Sequence, residues 1–292
     1  MTAPELRYSS NPYRALRRDV RRALLRYRHT TPVSVARDVM RSIHLRRNDP
    51  LPRAKTARPE RVVVSMTTIP ERVSKIAPAL RSILDQSCPA DRVLLAWPSE
   101  ARNIRSPKLP RLPSGVDVLP CEDQGPATKF LAAHLAEPHA AIVVVDDDVI
   151  YPVDFLATLL DAHRREPMTA FGWRGWRLQP GVDPRDFDHV FATAVGEDTP
   201  VDVLLGTWGY LIPPGALDRA VHDFRGWPAE LRFVDDVWIS GHLARQGVAR
   251  RVVAARGVPI ETAASSISPL THGPNRSGHN DRVGIQAFSA WW

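Results

Sequence analysis

From residue 61 onward, short apolar runs alternate with stretches in which apolar residues recur every three or four positions. Arg61-Val-Val-Val-Ser-Met66, Arg92-Val-Leu-Leu-Ala-Trp97, Val116–Leu119 and Ala140–Val145 are too short for helices and read as buried strands. Between them, Val73–Gln86 carries Ile76, Leu80, Ile83 and Leu84 at helical spacing, after a loop Thr67–Arg72. Gly125–Ala136 opens with Pro126 in its first turn, where a missing N–H costs nothing, and another helix follows Pro152 to Arg165. Strands separated by such helices predict an open α/β sheet, mostly parallel, with right-handed crossovers. Ligands of these sheets bind beyond the carboxyl ends of the strands. Thr67, Thr68, Arg72 and Asp123 all fall at such ends.

The later pattern is less regular. Val201–Ile212 predicts a strand pair or bent strand, with Gly206 and Gly209 permitting close backbone approach, and Pro213-Pro214-Gly215 predicts a helix start. Asp235 and Asp236 precede an apolar-periodic helix through Val237, Ile239, Leu243 and Ala244, closed by Gly247. Either aspartate also suits an N-cap. Thr271–Asn280 reads as a loop, and Phe288, Trp291 and Trp292 end the chain as packing or lipid-facing aromatics.

Before residue 61 the periodicity is helical and basic. Leu16, Val20, Ala23, Leu24 and Tyr27 share one face amid arginines, a second helix is predicted over Val33–Leu45, and Asp49–Pro59 is a proline-bearing linker. Residues 1–58 carry 14 Arg and one Lys against four acidic residues, a balance of +11, whereas the rest carries 24 basic and 28 acidic groups, a balance of −4. The basic pI therefore belongs to the arm. Such an arm either lies on an anionic membrane surface or packs on the body as a solvated helix. A mildly acidic body, and an arm without aromatic platforms, argue against nucleic-acid binding. Two distant cysteines, Cys88 and Cys121, indicate neither a disulfide framework nor a zinc site. No apolar run reaches the roughly 20 residues of a membrane span, and Met1–Ser10 lacks a secretory apolar region. A cytoplasmic location, peripheral at the inner face of the membrane if the arm docks there, is expected.

The chemistry concentrates where Ile142-Val-Val-Val145 runs into Asp146, Asp147 and Asp148. Adjacent carboxylates repel and raise one another's pKa, so the arrangement calls for a cation. Strand alternation would aim Asp146 and Asp148 at one point and turn Asp147 away. Two hard oxygen ligands suit Mg²⁺ or Mn²⁺, especially when phosphates complete the coordination. The plain alternative is a solvated acidic turn capping the next helix through Asp148 or Asp154.

The order Val62-Val-Val-Ser-Met-Thr-Thr-Ile-Pro-Glu-Arg72, Ser82-Ile-Leu-Asp-Gln86, Gly125-Pro-Ala-Thr-Lys129 and Val143-Val-Val-Asp-Asp-Asp148 resembles a GT-A-fold glycosyltransferase over residues 60–260. The likeness is to the bacterial family-2-like branch and, more distantly, to exostosin-type transferase domains. It implies a Rossmann-like nucleotide half over residues 59–165 and an acceptor half with the C-terminal tail over 166–292, preceded by the arm at 1–58. It implies a UDP- or GDP-sugar donor with Mn²⁺ or Mg²⁺ on its diphosphate. Asp148 would be the first metal ligand, and Asp146 would bind through water or hold the ribose. Thr67, Arg72, Asp123, Lys129 and Asp147 would lie near the nucleotide. Trp208 would stack on a sugar, with Trp173, Arg174 and Trp176 as weaker candidates. The Asp235/Asp236 pair would take the acceptor's proton in an inverting reaction. His272, or else His279 or Arg276, would add a late ligand to the metal or diphosphate.

The function so implied is metal-dependent transfer of a sugar to a glycan or lipid-linked acceptor, as in bacterial polysaccharide or glycoconjugate synthesis. A nucleotidyltransferase or phosphate-ester hydrolase would use the same carboxylates with two metals. A non-catalytic sugar- or membrane-binding protein is the remaining alternative.

Overall fold

A computed structural model describes residues 20–51, 53, 54, 57–98, 109–267, 275 and 277–292. Residues 20–26 form helix α1. Pro32–Arg47 form α2, opened by a capping box in which the Thr31 hydroxyl accepts the Ser34 N–H and Ser34 reciprocates.

The body begins with β1 (Val62–Thr67), buried along nearly its whole length because neighbours and helices cover both faces. The helix expected over Val73–Gln86 is interrupted: a 3₁₀ turn at Val73–Lys75 is followed by α3 (Ala77–Leu84). Pro78 explains the break, because it lacks the N–H that a continuous helix needs there and sits instead in the first turn of α3. β2 (Arg92–Pro98) and β3 (Val116–Cys121) follow. Pro120 fits β3 because β3 pairs only with β2 and forms an edge. Next come α4 (Thr128–Ala136), β4 (Ala141–Val145), β5 (Val149–Ile150) and α5 (Phe155–Arg165).

The second half contributes β6 (Ala170–Gly172), β7 (Arg174–Arg177), β8 (Asp188–Phe191), β9 (Thr199–Pro200), β10 (Val203–Leu204) and β11 (Tyr210–Ile212). The helix expected from Pro213-Pro214-Gly215 is absent. Gly215 has φ of +73°, which turns the chain away from a helical path, and only a 3₁₀ turn at Arg219–His222 follows. Then come α6 (Asp235–Arg245), β12 (Arg250–Val252), β13 (Ile260–Glu261) and α7 (His279–Ala287).

The principal sheet has eight strands in the order β3-β2-β1-β4-β11-β6-β12-β9. β3, β2, β1 and β4 are mutually parallel, β11 runs antiparallel between β4 and β6, and β12 is parallel to β6. This open, mostly parallel sheet flanked by helices is the α/β architecture expected from the alternating pattern. Both halves contribute strands to it. Met66 pairs with Val145, so β1 and β4 end side by side and deliver Thr68 and the three aspartates to one edge. A small sheet, β10-β7-β8, and the pair β13-β5 complete the second half.

Candidate active site

β4 ends at Val145, so the three aspartates occupy the turn beyond it and strand alternation does not govern them. Asp147 does not turn away from its neighbours. It is buried, its Oδ2 accepts the Thr68 hydroxyl at 2.5 Å, and its Oδ1 accepts Arg72 Nη1 at 2.9 Å. The same Arg72 nitrogen reaches Asp148 Oδ2 at 3.2 Å, while Nε is fixed on the Ile267 carbonyl at 2.7 Å. Asp146 takes a different cation: Lys129 Nζ lies 2.8 Å from its Oδ1. Its backbone N–H donates to the Tyr151 hydroxyl at 2.8 Å.

Lys129 is the junction between the two acidic pairs. It stands on the first turn of α4, where the Gly125-Pro-Ala-Thr-Lys segment turns in tightly. Gly125 has φ of +65°, and a Cβ there would lie 2.6 Å from the Arg232 carbonyl, so only glycine brings this loop against the segment preceding Asp235. Lys129 Nζ also lies 3.2 Å from Asp235 Oδ2. Burial by itself would lower the lysine's pKa, but Asp146, Asp235 and Asp236 outweigh it and hold the ammonium well above its ordinary value. Asp236 Oδ1 accepts the Gly206 N–H at 2.8 Å. A Cβ on Gly206 would sit 2.8 Å from Lys129 Nζ and 3.1 Å from Asp236 Oδ1, so the absence of a side chain there makes room for the cluster. Burial, and then Asp235, push the Asp236 carboxyl well above the usual range. Neither Asp235 nor Asp236 caps α6 at its N-cap: both lie in the first turn, and Val234 holds the cap position.

Four carboxylates thus share two directly bonded cations, Arg72 and Lys129, and a fifth, Asp236, is held by the Gly206 N–H. The strain is plainest at Asp148. Burial, then Asp146 and Asp147, raise its carboxyl to about 7, with Arg72 and Lys129 only partly opposing them. A further positive charge would relieve this crowding. Among the described residues no group of three or more His, Cys, Asp or Glu side chains is disposed to hold a metal unaided. A hard cation held here would keep one or two of these carboxylates and would have to take its other oxygens from phosphate and water, the habit of Mg²⁺.

No family model matches the sequence. No curated protein matches it either. Among solved structures, the chain is similar to the crystal structure of S. aureus TarS 1-349, at 13% identity and a TM-score of 0.43, covering 77% of this chain and 70% of that one. The relation is distant and concerns chain path; the chemistry rests on the side chains described here.

The other expected residues distribute as follows. Thr67 is committed to the sheet, its hydroxyl donating to the Ala96 carbonyl at 2.9 Å, and Thr68 beside it is the threonine that reaches the aspartates. Asp123 Oδ1 accepts the Gly125 N–H at 2.9 Å and shapes the turn ahead of α4. Trp208 is 1% exposed, packed against Phe191 with the Arg26 guanidinium over its ring at 5.4 Å. Trp173 is likewise buried, and Trp176 donates to His189. His272 and Arg276 lie outside the described residues. His279 is exposed at the start of α7, 3.5 Å from Glu230.

Thr68 is expected with Thr67 at the strand end, and it is Thr68, just past β1, that reaches the aspartates. Two participants escaped the sequence reading. Tyr151 lies three residues past Asp148 and holds the Asp146 backbone. Tyr210 is fully buried with no hydrogen-bond partner for its hydroxyl among the described residues, near Asp235 and Lys129, and β11 gave no sign of it in its apolar surroundings.

Proposed function

We propose that this edge transfers a glycosyl group from a nucleotide-sugar donor to a hydroxyl acceptor. The observation that carries the reading is the convergence of Asp146, from the aspartate turn, and Asp235, from α6, on one buried lysine at the carboxyl end of the parallel strands. Breaking a sugar–diphosphate bond leaves negative charge on the departing oxygens, and a site for it needs fixed positive charge at hand. Arg72 supplies one such charge at the mouth of the aspartate turn, and its contact with the Ile267 carbonyl holds it in place. Asp148, with Asp146, would hold Mn²⁺ or Mg²⁺ on the diphosphate, where the ion acts as a Lewis acid toward the leaving group.

On the acceptor side, the carboxylate best suited to receive a proton is Asp236. Burial and Asp235 raise its affinity for a proton above that of an exposed carboxylate, the direction that general-base catalysis calls for. In the inverting reaction we propose, the acceptor oxygen bonds to the anomeric carbon and its proton passes to Asp236. The bond from that carbon to the diphosphate oxygen breaks, and its electron pair departs with the nucleoside diphosphate. Lys129 holds Asp146 and Asp235 together against their repulsion. A glycan or lipid-linked molecule is the proposed acceptor.

The test is turnover of a panel of UDP- and GDP-sugars with Mn²⁺, comparing the wild type with Asp148→Ala. Release of nucleoside diphosphate by the wild type is expected, with the variant slower by at least ~100-fold, since a ligand to the leaving-group cation is worth several kcal/mol. Equal turnover by the two proteins would remove Asp148 from the mechanism. Release of pyrophosphate or phosphate instead would reassign the site to nucleotidyl transfer or hydrolysis.

A further inference from the structure

Helix α2 faces the wrong way for a helix that merely covers the body. Its apolar residues Val33, Val35, Ala36, Val39, Met40 and Ile43 fall within an arc of about 160° at 100° per residue. That arc points outward: Val33, Val35, Val39, Met40 and Ile43 are 79, 45, 49, 71 and 51% exposed. The opposite side holds the helix to the body through buried Ser42 and Leu45 and through polar ties. Arg41 donates to Asp85 at 2.8 Å and to the Tyr151 carbonyl at 2.6 Å, and Arg81 donates to the Leu45 and Arg46 carbonyls at 3.1 Å each. Beside it, Val20, Leu24 and Tyr27 are 50, 69 and 49% exposed and, with Ala23 and Arg28, line an open cavity of roughly 470 Å³. Single exposed apolar side chains are ordinary, whereas this many on adjoining elements mark a contact surface.

We propose that this surface docks onto an anionic lipid bilayer. Exposed Arg21, Arg28, Arg37, Arg46 and Arg47 accompany the apolar side chains, and residues 1–58 as a whole carry the balance of +11. Apolar side chains flanked by arginines are what the headgroup boundary of an anionic membrane complements. A second copy of the chain would bring the same positive charge against itself, which opposes pairing. No helix among the described residues is long and apolar enough to cross a membrane, so the contact lies in the interface plane.

The docked arm is tied to the candidate site. Arg26 binds Glu261 at 3.2 Å, and the N–H of the next residue, Thr262, donates to the Asp148 carbonyl at 2.7 Å. Docking would therefore hold the acidic edge beside the bilayer, where a lipid-linked acceptor is presented. That last consequence depends on the proposed function, and the docking itself does not.

The experiment is sedimentation of the full chain with vesicles of phosphatidylcholine alone and of phosphatidylcholine mixed with phosphatidylglycerol. The wild type is expected to partition onto the mixed vesicles only, and less as salt is raised. Arg46→Gln and Arg47→Gln should each weaken partitioning roughly fivefold. Met40→Asp combined with Ile43→Asp should weaken it at least tenfold with the circular dichroism spectrum and melting temperature unchanged, because both side chains are already exposed. Turnover of a soluble acceptor should be the same in these variants and the wild type, which separates this proposal from the identity of the site. Equal partitioning by the double variant, or none by the wild type, overturns the proposal. So does a wild-type dimer, seen by ultracentrifugation, that the double variant abolishes while vesicles bind neither protein.

Discussion

The residue with the largest structural burden is Lys129. Its ammonium is buried among three carboxylates drawn from α6 and the turn after β4, segments far apart in the chain. Replacing it by methionine would keep the volume and remove the charge, leaving Asp146 and Asp235 facing each other without compensation. Removal of one partner of a buried ion pair costs about 3–5 kcal/mol, and Lys129→Met is expected to fall in that range by urea denaturation. A loss below ~1 kcal/mol would mean that the carboxylates are neutral in the fold and that the lysine is not their counter-charge. The acidic residues themselves were legible: a β-branched run ending in three aspartates announces a need for positive charge nearby, which Arg72 and Lys129 meet. The lysine's double allegiance was not, because nothing in a linear sequence places residue 129 between residues 146 and 235.

Among the elements, α6 and α7 meet at a contact that depends on one glycine. Phe288, just past α7, is fully buried and stacks on Trp227, with its ring also edge-on to Trp238 and His242. A Cβ on Gly241 would lie 2.4 Å from the Phe288 ring, closer than any real contact. Gly241→Ala is expected to destabilise the protein by about 1–3 kcal/mol in thermal or urea melts, and Phe288→Leu in the same chain should recover part of that loss. No recovery would place the strain elsewhere on α6. This packing answers one question that the sequence left open, since Phe288 belongs to the core while Trp291 is half exposed. Elements were legible where a period was long and unbroken, as in β1, β4, α5 and α6. They were misread where a proline or glycine overrode the period, at Pro78 and Gly215. There a single residue's backbone constraint outweighs several side chains' preference to be buried.

Over the whole molecule, a histidine cluster, with His134 and His222 half-buried and His242 buried, contributes to the response to acid. His134 and His222 stack with ring nitrogens 2.9 Å apart, and His242 is packed under Trp238. Burial, then His134 and Arg219, lower His222 to about 4, and burial, then Arg245, lowers His242 to about 4; Asp218 alone pulls His242 the other way. His134 is also lowered by burial, with Asp218 opposing. Groups whose folded pKa lies below the ordinary 6.5 are neutral in the fold and charged once unfolded. The stability they contribute is present above pH 6.5 and is lost as pH falls toward 4. The slope is up to about 1.4 kcal/mol per pH unit for each proton taken up on unfolding. Melting temperature should therefore decline across that window, and His222→Phe together with His242→Phe should flatten the decline; an unchanged slope would exclude these imidazoles as its source. At this scale the alternating pattern predicted the α/β sheet correctly, while the joining of its two halves edge to edge, β4 against β11, was invisible. Strand order depends on pairings between segments that share no local signal.

That junction has a consequence for synthesis on the ribosome. β4 is apolar throughout, and one of its two edges is sealed only by β11, which emerges more than sixty residues later. Until residue 212 has left the exit tunnel, a nascent chain carries an open, valine-rich border that can recruit any passing strand. Fragments ending between residues 150 and 200 should accordingly be found in inclusion bodies, whereas the polypeptide extended through β11 and β12 escapes that fate.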